Sequence, residues 1–167
     1  KKIVFPLEKI EIILEDSIYI PTLNLSKSLI NKLKSFATFE NPQIKTLLSL
    51  RKPLYNTPKY IRSFEENENH LILPRGLKEQ IVDFFNINAV DFSFIDKRYF
   101  KQIETKKVTF NLRPEQNDAI KEIKKTDLSI CVAPPGFGKT LLGAKIFEIR
   151  ACSTIIVVNK NMLLNQW

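Results

Sequence analysis

Residues 133–140 read APPGFGKT, and this short loop decides how the second half of the chain is expected to fold. The template of a phosphate-binding P-loop is a glycine, four residues, Gly-Lys, and then Ser or Thr. Ala133 stands where the template has its first glycine, while Gly138, Lys139 and Thr140 match it. Taken alone, the loop is open to a second interpretation, a proline-glycine turn that happens to precede a helix.

The segments on both sides of the loop favour the P-loop. Apolar runs predict buried strands at 128–132 and 154–158, and the apolar spacing between them predicts a helix at 139–150. Strand, loop, helix and strand in about thirty residues form a βαβ unit. We therefore predict an α/β fold in which residues 106–167 start a P-loop domain with an incomplete parallel sheet.

Each residue type in the loop has a chemical task. Gly136 and Gly138 give the backbone conformations that other residues avoid, so that amides of residues 136–140 can converge on a phosphate at a helix N-terminus. Lys139 would place a charge between the β- and γ-phosphates, and the Thr140 hydroxyl would ligate Mg²⁺. Pro134 and Pro135 stiffen the entry to the loop and cannot donate a hydrogen bond. Phe137 is expected at an exposed tip.

Three motifs resemble those of superfamily 2 helicases, the DEAD/DEAH-box group. Their P-loops often begin with alanine, as this loop does. Residues 112–120, LRPEQNDAI, resemble the Leu-Arg-Pro-x-Gln signature of helicases related to type III restriction subunits and repair helicases. Residues 155–167, IIVVNKNMLLNQW, resemble the motif that follows in those proteins. The run at 73–76, Leu-Pro-Arg-Gly, is similar to an accessory segment ahead of the ATPase core in some bacterial and phage relatives.

The resemblance implies ATP and Mg²⁺ as cofactors and nucleic acid as the partner, DNA rather than RNA. It implies that Gln116 hydrogen-bonds the adenine edge, although this residue could otherwise be an exposed helix residue. Arg113 either approaches the nucleotide or only caps the helix, and Trp167 is better explained as apolar packing than as a base platform. The predicted nucleotide site consists of Arg113, Gln116, Pro135, Gly136, Phe137, Gly138, Lys139, Thr140 and Leu141, with Lys139 and Thr140 in the catalytic roles. The motif at 155–167 implies nucleic-acid contacts by Asn159, Lys160 and Gln166.

Residues 1–105 predict a separate, small α+β domain because their helices and strands do not alternate regularly. Strands are expected in IEIILEDSIYIP on both sides of residues 15–17, in KYIRSFEE and HLILP across the turn ENEN, and in DFSFID. Residues 98–110 are expected to be a connector that ends in the short strand VTF. Helices are expected in SLINKLKSFATF, capped by Ser26 or Ser28, and after Asn41-Pro42 through IKTLLSLRK. A third helix is expected in LKEQIVDFF, with Leu77, Ile81, Phe84 and Phe85 facing inward. His70 is expected on a strand rather than as a metal ligand.

Most of the positive charge lies in one segment. The chain carries a net charge of +8, and residues 26–62 hold eight basic and one acidic side chain, which leaves +7 there. A concentrated positive field suits a polyanion, and Tyr55 and Tyr60 could stack on bases. The other interpretation is a solvated face of two helices and a loop. The candidate nucleic-acid contacts in this segment are Lys45, Arg51, Lys52, Lys59 and Arg62.

The sequence thus predicts the N-terminal part of an ATP-dependent helicase or translocase. The resemblance implies that residues 106–167 start a RecA-like domain, and that a DEAD/DEAH box and a second RecA-like domain complete the helicase core. Neither is found after the P-loop, so we expect these residues to be a fragment of a longer protein and to be inactive by themselves. Two alternatives stay open: a P-loop kinase, and an accessory nucleic-acid-binding module with a vestigial nucleotide site. The sequence shows neither a secretory signal nor a membrane span, and Cys131 and Cys152 are expected to be reduced, partly buried thiols. These features predict an intracellular, cytoplasmic protein. The abundance of Lys, Ile and Asn favours a bacterial, phage or viral source.

Overall fold

The computed structural model of the protein describes residues 3–167, so Lys1 and Lys2, with which the predicted first domain begins, lie outside the described residues. The chain divides into two compact units, Lys1–Tyr99 and Phe100–Trp167. The predicted domains, 1–105 and 106–167, stay a prediction, and each compact unit is described by itself.

The described part of the first unit combines a mixed sheet with helices. Its elements are β1 (Ile10–Leu14), β2 (Ile18–Pro21), α1 (Lys27–Phe36), β3 (Thr38–Glu40), α2 (Pro42–Ser49), β4 (Tyr60–Arg62), β5 (Glu65–Glu66), β6 (His70–Leu73), a short 3₁₀ turn (Arg75–Leu77), α3 (Lys78–Ile87) and β7 (Phe92–Asp96). One sheet has the order β5-β6-β2-β1-β7, and β3 pairs with β4 separately. β1 lies parallel to β7 and antiparallel to β2, so the predicted mixed α/β class is confirmed.

The buried core of this unit lies on one face of the larger sheet. Alternate residues of β1 point into it, and Ile12 there is fully buried. Leu29 and Leu33 of α1 and Ile81 and Phe85 of α3 join the same apolar cluster. Burying each of these side chains stabilises the fold by about 1.5–3 kcal/mol. The predicted inward face of α3 is therefore confirmed.

Local sequence signals fix the starts of two helices. The Ser26 hydroxyl caps α1 by accepting a hydrogen bond from Leu29 N at 3.2 Å. Asn41 caps α2 in the same way through Gln43 N at 3.0 Å, and its amide donates to Pro58 O at 3.0 Å. Side-chain oxygens at these positions satisfy amides that have no partner inside the helix. Both predicted caps are confirmed.

Two predictions for this unit are wrong in detail. The first helix ends at Phe36 rather than continuing through SFATF, because Thr38–Glu40 pairs with Tyr60–Arg62 as β3 and β4. The predicted strand KYIRSFEE is consequently divided between two sheets, and only Glu65–Glu66 pairs with β6. Pairing with a distant partner outweighed the local apolar pattern in both places.

The described second unit is helical, with α4 (Pro114–Lys125), α5 (Lys139–Arg150) and α6 (Asn161–Gln166). The strands predicted at 108–110, 128–132 and 154–158 are not formed, so the incomplete parallel sheet is absent from the described residues. Ile130 and Val132 are 91% and 92% exposed, and Ile155 is 90% exposed. Strands rich in such residues are stable when neighbouring strands and helices cover them, and these segments have no such cover here.

An antiparallel pairing joins the beginning of this unit to the residues after α5. Gln102 forms a bridge with Cys152, flanked by hydrogen bonds from Ile103 N to Ala151 O at 3.0 Å and from Ser153 N to Lys101 O at 3.1 Å. Residues 98–110 were predicted to be a connector that ends in a strand at 108–110. The pairing shows that residues 101–103 belong to the framework of the second unit.

Candidate nucleotide site

The loop at 133–140 adopts the backbone conformation that the P-loop prediction requires. Gly136 and Gly138 both have positive φ, 76° and 90°, in the region that only glycine enters at low cost. α5 begins immediately after Gly138, at Lys139. The predicted sequence of loop and helix is therefore confirmed, although no strand precedes the loop.

Four of the loop amides keep their hydrogen-bonding capacity. Within the described residues, no protein acceptor binds the N–H groups of Gly136, Gly138, Lys139 or Thr140. The fifth predicted donor differs, because Phe137 N donates to Pro134 O at 3.3 Å and closes a turn. The amides at the start of a helix carry partial positive charge and attract anions. The loop thus offers four amides, rather than the predicted five, to a phosphate group.

The two polar side chains of the loop bind protein atoms. Lys139 Nζ donates to Ala133 O at 2.7 Å and to Pro134 O at 3.0 Å, so the loop carbonyls hold the ammonium group over the loop. Thr140 Oγ1 accepts a hydrogen bond from Gln166 Nε2 at 3.1 Å. A phosphate or a cation at this place would have to exchange with these partners.

A buried hydrogen-bonded brace connects the loop to the start of α4. Gln116 is 3% exposed, so it is not the exposed helix residue of the alternative interpretation. Its Nε2 donates to Phe137 O at 2.6 Å, and its Oε1 accepts from Arg113 N at 2.8 Å. Arg113 Nη2 donates to the same Phe137 carbonyl at 2.8 Å. Arg113 therefore precedes α4 as its cap residue and also reaches the loop.

This brace depends on Gly138 and on the backbone carbonyl of Phe137 as an acceptor. A Cβ atom on Gly138 would lie 2.6 Å from Gln116 Nε2, so only glycine allows this approach. Phe137 was expected at an exposed tip, but it is half-buried, and the Arg113 guanidinium lies 5.8 Å from its ring centroid. A backbone carbonyl carries no side-chain signal, which is why the motif pattern missed its role. Pro135, within the loop, and Leu141, directly after it, have exposed side chains.

The end of α6 lies over the first turns of α5. Gln166 contacts Thr140, and the Trp167 ring packs where Gly143 has no side chain, since a Cβ there would lie 2.3 Å from Trp167 Cη2. Asn159 and Lys160 are exposed at the other end of α6, where Lys160 is the cap residue. The structure thus separates Gln166 from the two residues with which it was predicted to contact nucleic acid.

Glu148, the one acidic residue that follows Thr140 in the sequence, is engaged elsewhere. Its carboxylate accepts from Lys145 Nζ at 2.8 Å and from Val108 N at 3.3 Å. The hydrogen bond from Lys145 is the main cause that holds the pKa of Glu148 below its usual value. The carboxylate stabilises the contact between residues 105–108 and α5.

The predicted nucleic-acid residues of the first unit lie on what we call the basic arm, residues 38–62, which comprises β3, α2, the following loop and β4. α2 has no buried residue, and Tyr55 is 86% exposed. Lys59 Nζ lies 5.3 Å from the Tyr60 ring centroid, and Tyr60 itself is half-exposed. Lys45 and Lys59 also border a pocket of about 180 Å³. The five predicted basic residues, Lys45, Arg51, Lys52, Lys59 and Arg62, are all exposed.

The remaining residues that the sequence analysis named are His70 and the two cysteines. His70 lies on β6, with its ring 6.2 Å from that of Tyr19. Among residues 3–167, no group of three or more His, Cys, Asp or Glu side chains is placed to hold a metal ion. Both cysteines are free, and Cys131 is exposed rather than partly buried as predicted, because the strand around it does not form.

The chemistry of the loop fits a magnesium-bound polyphosphate. Residues 136–140 carry four amides without a protein acceptor, one ammonium group and one hydroxyl at the start of α5. Amides and an ammonium group bind phosphate oxygens, and a hydroxyl oxygen is a ligand that Mg²⁺ accepts.

Among the described residues, no helix is long and apolar enough to cross a membrane.

Comparison with solved structures relates this chain to a helicase fold. It is similar to the crystal structure of the UvsW helicase from bacteriophage T4, with a TM-score of 0.54 and 20% sequence identity over 83% of this chain. The match covers 52% of the phage protein, so the chain spans about half the length of that structure. No protein-family model and no curated protein sequence matches the chain. The chain therefore shares its fold with part of that helicase structure, as the motif resemblance led us to expect.

Proposed function

We propose that the loop at 133–140 binds the phosphates of Mg·ATP, and that the chain is the N-terminal part of an ATP-dependent helicase or translocase acting on nucleic acid. One observation supports the proposed nucleotide site most directly. Two left-handed glycines, Gly136 and Gly138, leave four amides without protein acceptors at the start of α5, next to Lys139. An ordinary proline-glycine turn has no need for this set of free donors.

The side chains of the loop would exchange their present partners for the ligand. Lys139 would leave the carbonyls of Ala133 and Pro134, at 2.7 and 3.0 Å, for the β- and γ-phosphate oxygens. Thr140 would offer its hydroxyl oxygen to the magnesium ion, which when bound neutralises phosphate charge. Pro135, Phe137 and Leu141 would border the nucleotide through backbone and apolar contacts.

Gln116 is our candidate for adenine recognition, with the brace as its support. A carboxamide has two N–H donors and an oxygen with two lone pairs. The bonds to Phe137 O and Arg113 N use one donor and one lone pair, which leaves one of each for the N6 and N7 atoms of adenine. Arg113 would approach the same nucleotide from the loop side. A test is the ratio of ATP to GTP affinity, which should fall toward one in Gln116→Ala, whereas Asn117→Ala should keep it.

The basic arm is our candidate for the nucleic-acid contact of the first unit, and Asn159 and Lys160 for that of the second. Exposed tyrosines beside lysines suit a strand whose phosphates are neutralised while its bases stack. DNA is the proposed polymer. A test is the salt dependence of binding of the chain to a single-stranded oligonucleotide. Each phosphate contact contributes about −0.7 to the slope of log affinity against log salt.

Two substitutions in the arm, Lys45→Ala with Lys59→Ala, should therefore reduce that slope by about 1.4 if each lysine meets one phosphate. Lys9→Ala, an exposed lysine outside the arm, is the matched control and should leave it unchanged. Affinity that is flat between low and moderate salt would exclude the arm as a phosphate-binding surface.

We also propose that this chain hydrolyses ATP negligibly. Attack of water on the γ-phosphate needs an acidic group near the metal, and Glu148 is held by Lys145 and Val108. Nucleic-acid-stimulated turnover by the purified chain would contradict this expectation. In a longer protein, stimulation of ATPase activity by DNA would distinguish a helicase from a P-loop kinase.

A further inference from the structure

Gln166 and Trp167 both contact α5 beside the candidate nucleotide site. Gln166 Nε2 donates to Thr140 Oγ1 at 3.1 Å, and Trp167 packs at Gly143. Residues 140 and 143 are three apart and thus share one face of α5. The end of α6 therefore covers both positions together.

We propose that Gln166 is a nucleotide-sensitive latch that competes with Mg²⁺ for the Thr140 hydroxyl. The inference rests on the proposed nucleotide site and assigns Gln166 to it as a positioning residue. The amide hydrogen occupies one lone pair of Oγ1 and points its positive end at that oxygen. A divalent cation on the same oxygen repels this donor, so the metal-bound site releases Gln166.

Lys139 is held in a parallel manner, because its ammonium group is bound to two loop carbonyls. The groups that hold Lys139 and Thr140 belong to different elements of the structure. The carbonyls belong to the loop itself, whereas Gln166 lies on α6, which begins at Asn161 directly after its cap residue Lys160. Loading of the site with metal would thus free the end of the helix that directly follows Asn159 and Lys160. Because coupling is reciprocal, a ligand that pulls on α6 favours metal binding.

The expected change in affinity for Mg·ADP follows from the loss of the hydrogen bond between Gln166 and Thr140. One hydrogen bond of this kind changes an equilibrium by about 2- to 10-fold. Removing it with Gln166→Ala should tighten binding of Mg·ADP by about that factor and leave binding of ADP in EDTA unchanged. Asn165→Ala, an exposed neighbour on α6, is the matched control and should change neither affinity.

A second variant should break the hydrogen bond between Gln166 and Thr140 without changing either residue. Gly143→Ala places a methyl group on the Trp167 ring, since its Cβ would lie 2.3 Å from Cη2. Alanine favours the helix more than glycine does, so α5 is kept. Displacing Trp167 moves Gln166 away from Thr140. Gly143→Ala should therefore tighten Mg·ADP binding as Gln166→Ala does.

The test is calorimetric titration of the chain with ADP, with Mg²⁺ and with EDTA, for the wild type and the three variants. In parallel, the emission of Trp167, the single tryptophan, is recorded. Mg·ADP should shift this emission to the red in the wild type, because the ring is released to water, whereas ADP in EDTA should not.

The latch is wrong if Gln166→Ala binds Mg·ADP no more tightly than Asn165→Ala, or if wild-type binding occurs without any change in Trp167 emission. Absence of ADP binding by the wild type, with and without Mg²⁺, is a different failure. That result would overturn the proposed nucleotide site, and the latch with it.

Discussion

The brace between α4 and the loop can be tested by placing one methyl group on each of two glycines. Gly136 and Gly138 share the left-handed backbone, at φ 76° and 90°. A Cβ on Gly138 would lie 2.6 Å from Gln116 Nε2, whereas a Cβ on Gly136 meets nothing within 4 Å. Gly136→Ala is therefore a matched control that carries the backbone strain without the collision.

The two variants should therefore lose different amounts of unfolding free energy. A left-handed alanine costs about 1–2 kcal/mol, and both variants carry this cost. Gly138→Ala also drives Gln116, which is 3% exposed, away from Phe137 O and leaves a buried polar group unsatisfied. That loss adds about 1–3 kcal/mol. We expect Gly138→Ala to destabilise the second unit by about 2–5 kcal/mol and Gly136→Ala by about 1–2 kcal/mol.

Urea unfolding followed through Trp167 measures this difference. The single tryptophan of the chain lies in the unit Phe100–Trp167, so its emission reports the unfolding of that unit. The free energies of unfolding are compared at equal slopes against urea. Equal destabilisation by the two substitutions, within about 0.5 kcal/mol, would refute the role assigned to the Gln116 brace.

Three further predictions follow from single sites. Phe85→Ala should lower the free energy of unfolding of the first unit by about 3–5 kcal/mol, because Phe85 is fully buried. Ile87→Ala, at a side chain that is 82% exposed, should change that free energy by less than about 0.5 kcal/mol. Urea unfolding followed by circular dichroism measures both. Ala151→Gly should stabilise the second unit by about 1 kcal/mol in thermal unfolding, because Ala151 ends α5 at φ 46°. The hydrogen bond from Arg98 lowers the pKa of Asp96 to about 2, so its stabilisation is present above the ordinary pKa and is lost as the pH falls from about 4 toward 2. Asp96→Asn should flatten the acid limb of the stability curve in that window, and an unchanged limb would contradict the ion pair.

The sequence predicted the elements whose signals are local. Ser26 and Asn41 began helices as expected, and the left-handed glycines and the helix after them were read correctly from Gly-x-Gly-Lys-Thr. The apolar spacing of α3 identified Ile81 and Phe85 as core residues. These signals act within a few residues of one another, so context had little opportunity to override them.

Features that depend on distant partners were not predictable in the same way. β3 exists only because Tyr60–Arg62 lies beside it. The apolar runs at 128–132 and 154–158 carry a strong strand pattern, yet they have no neighbouring strand and stay exposed. The role of the Phe137 carbonyl and the contact of Gln166 with Thr140 also required the folded chain, because neither leaves a pattern in the sequence.

The central claim is that the loop at 133–140 holds a triphosphate, and titration of the chain with ATP in Mg²⁺ by calorimetry tests it most directly. The wild type should bind saturably at one site, and Lys139→Met should bind about 10- to 100-fold more weakly, because a charged hydrogen-bond donor is lost. Lys125→Met, which removes the same charge from an exposed ion pair on α4, should bind like the wild type. No measurable binding by the wild type, or equal binding by the Lys139 and Lys125 variants, would contradict the account.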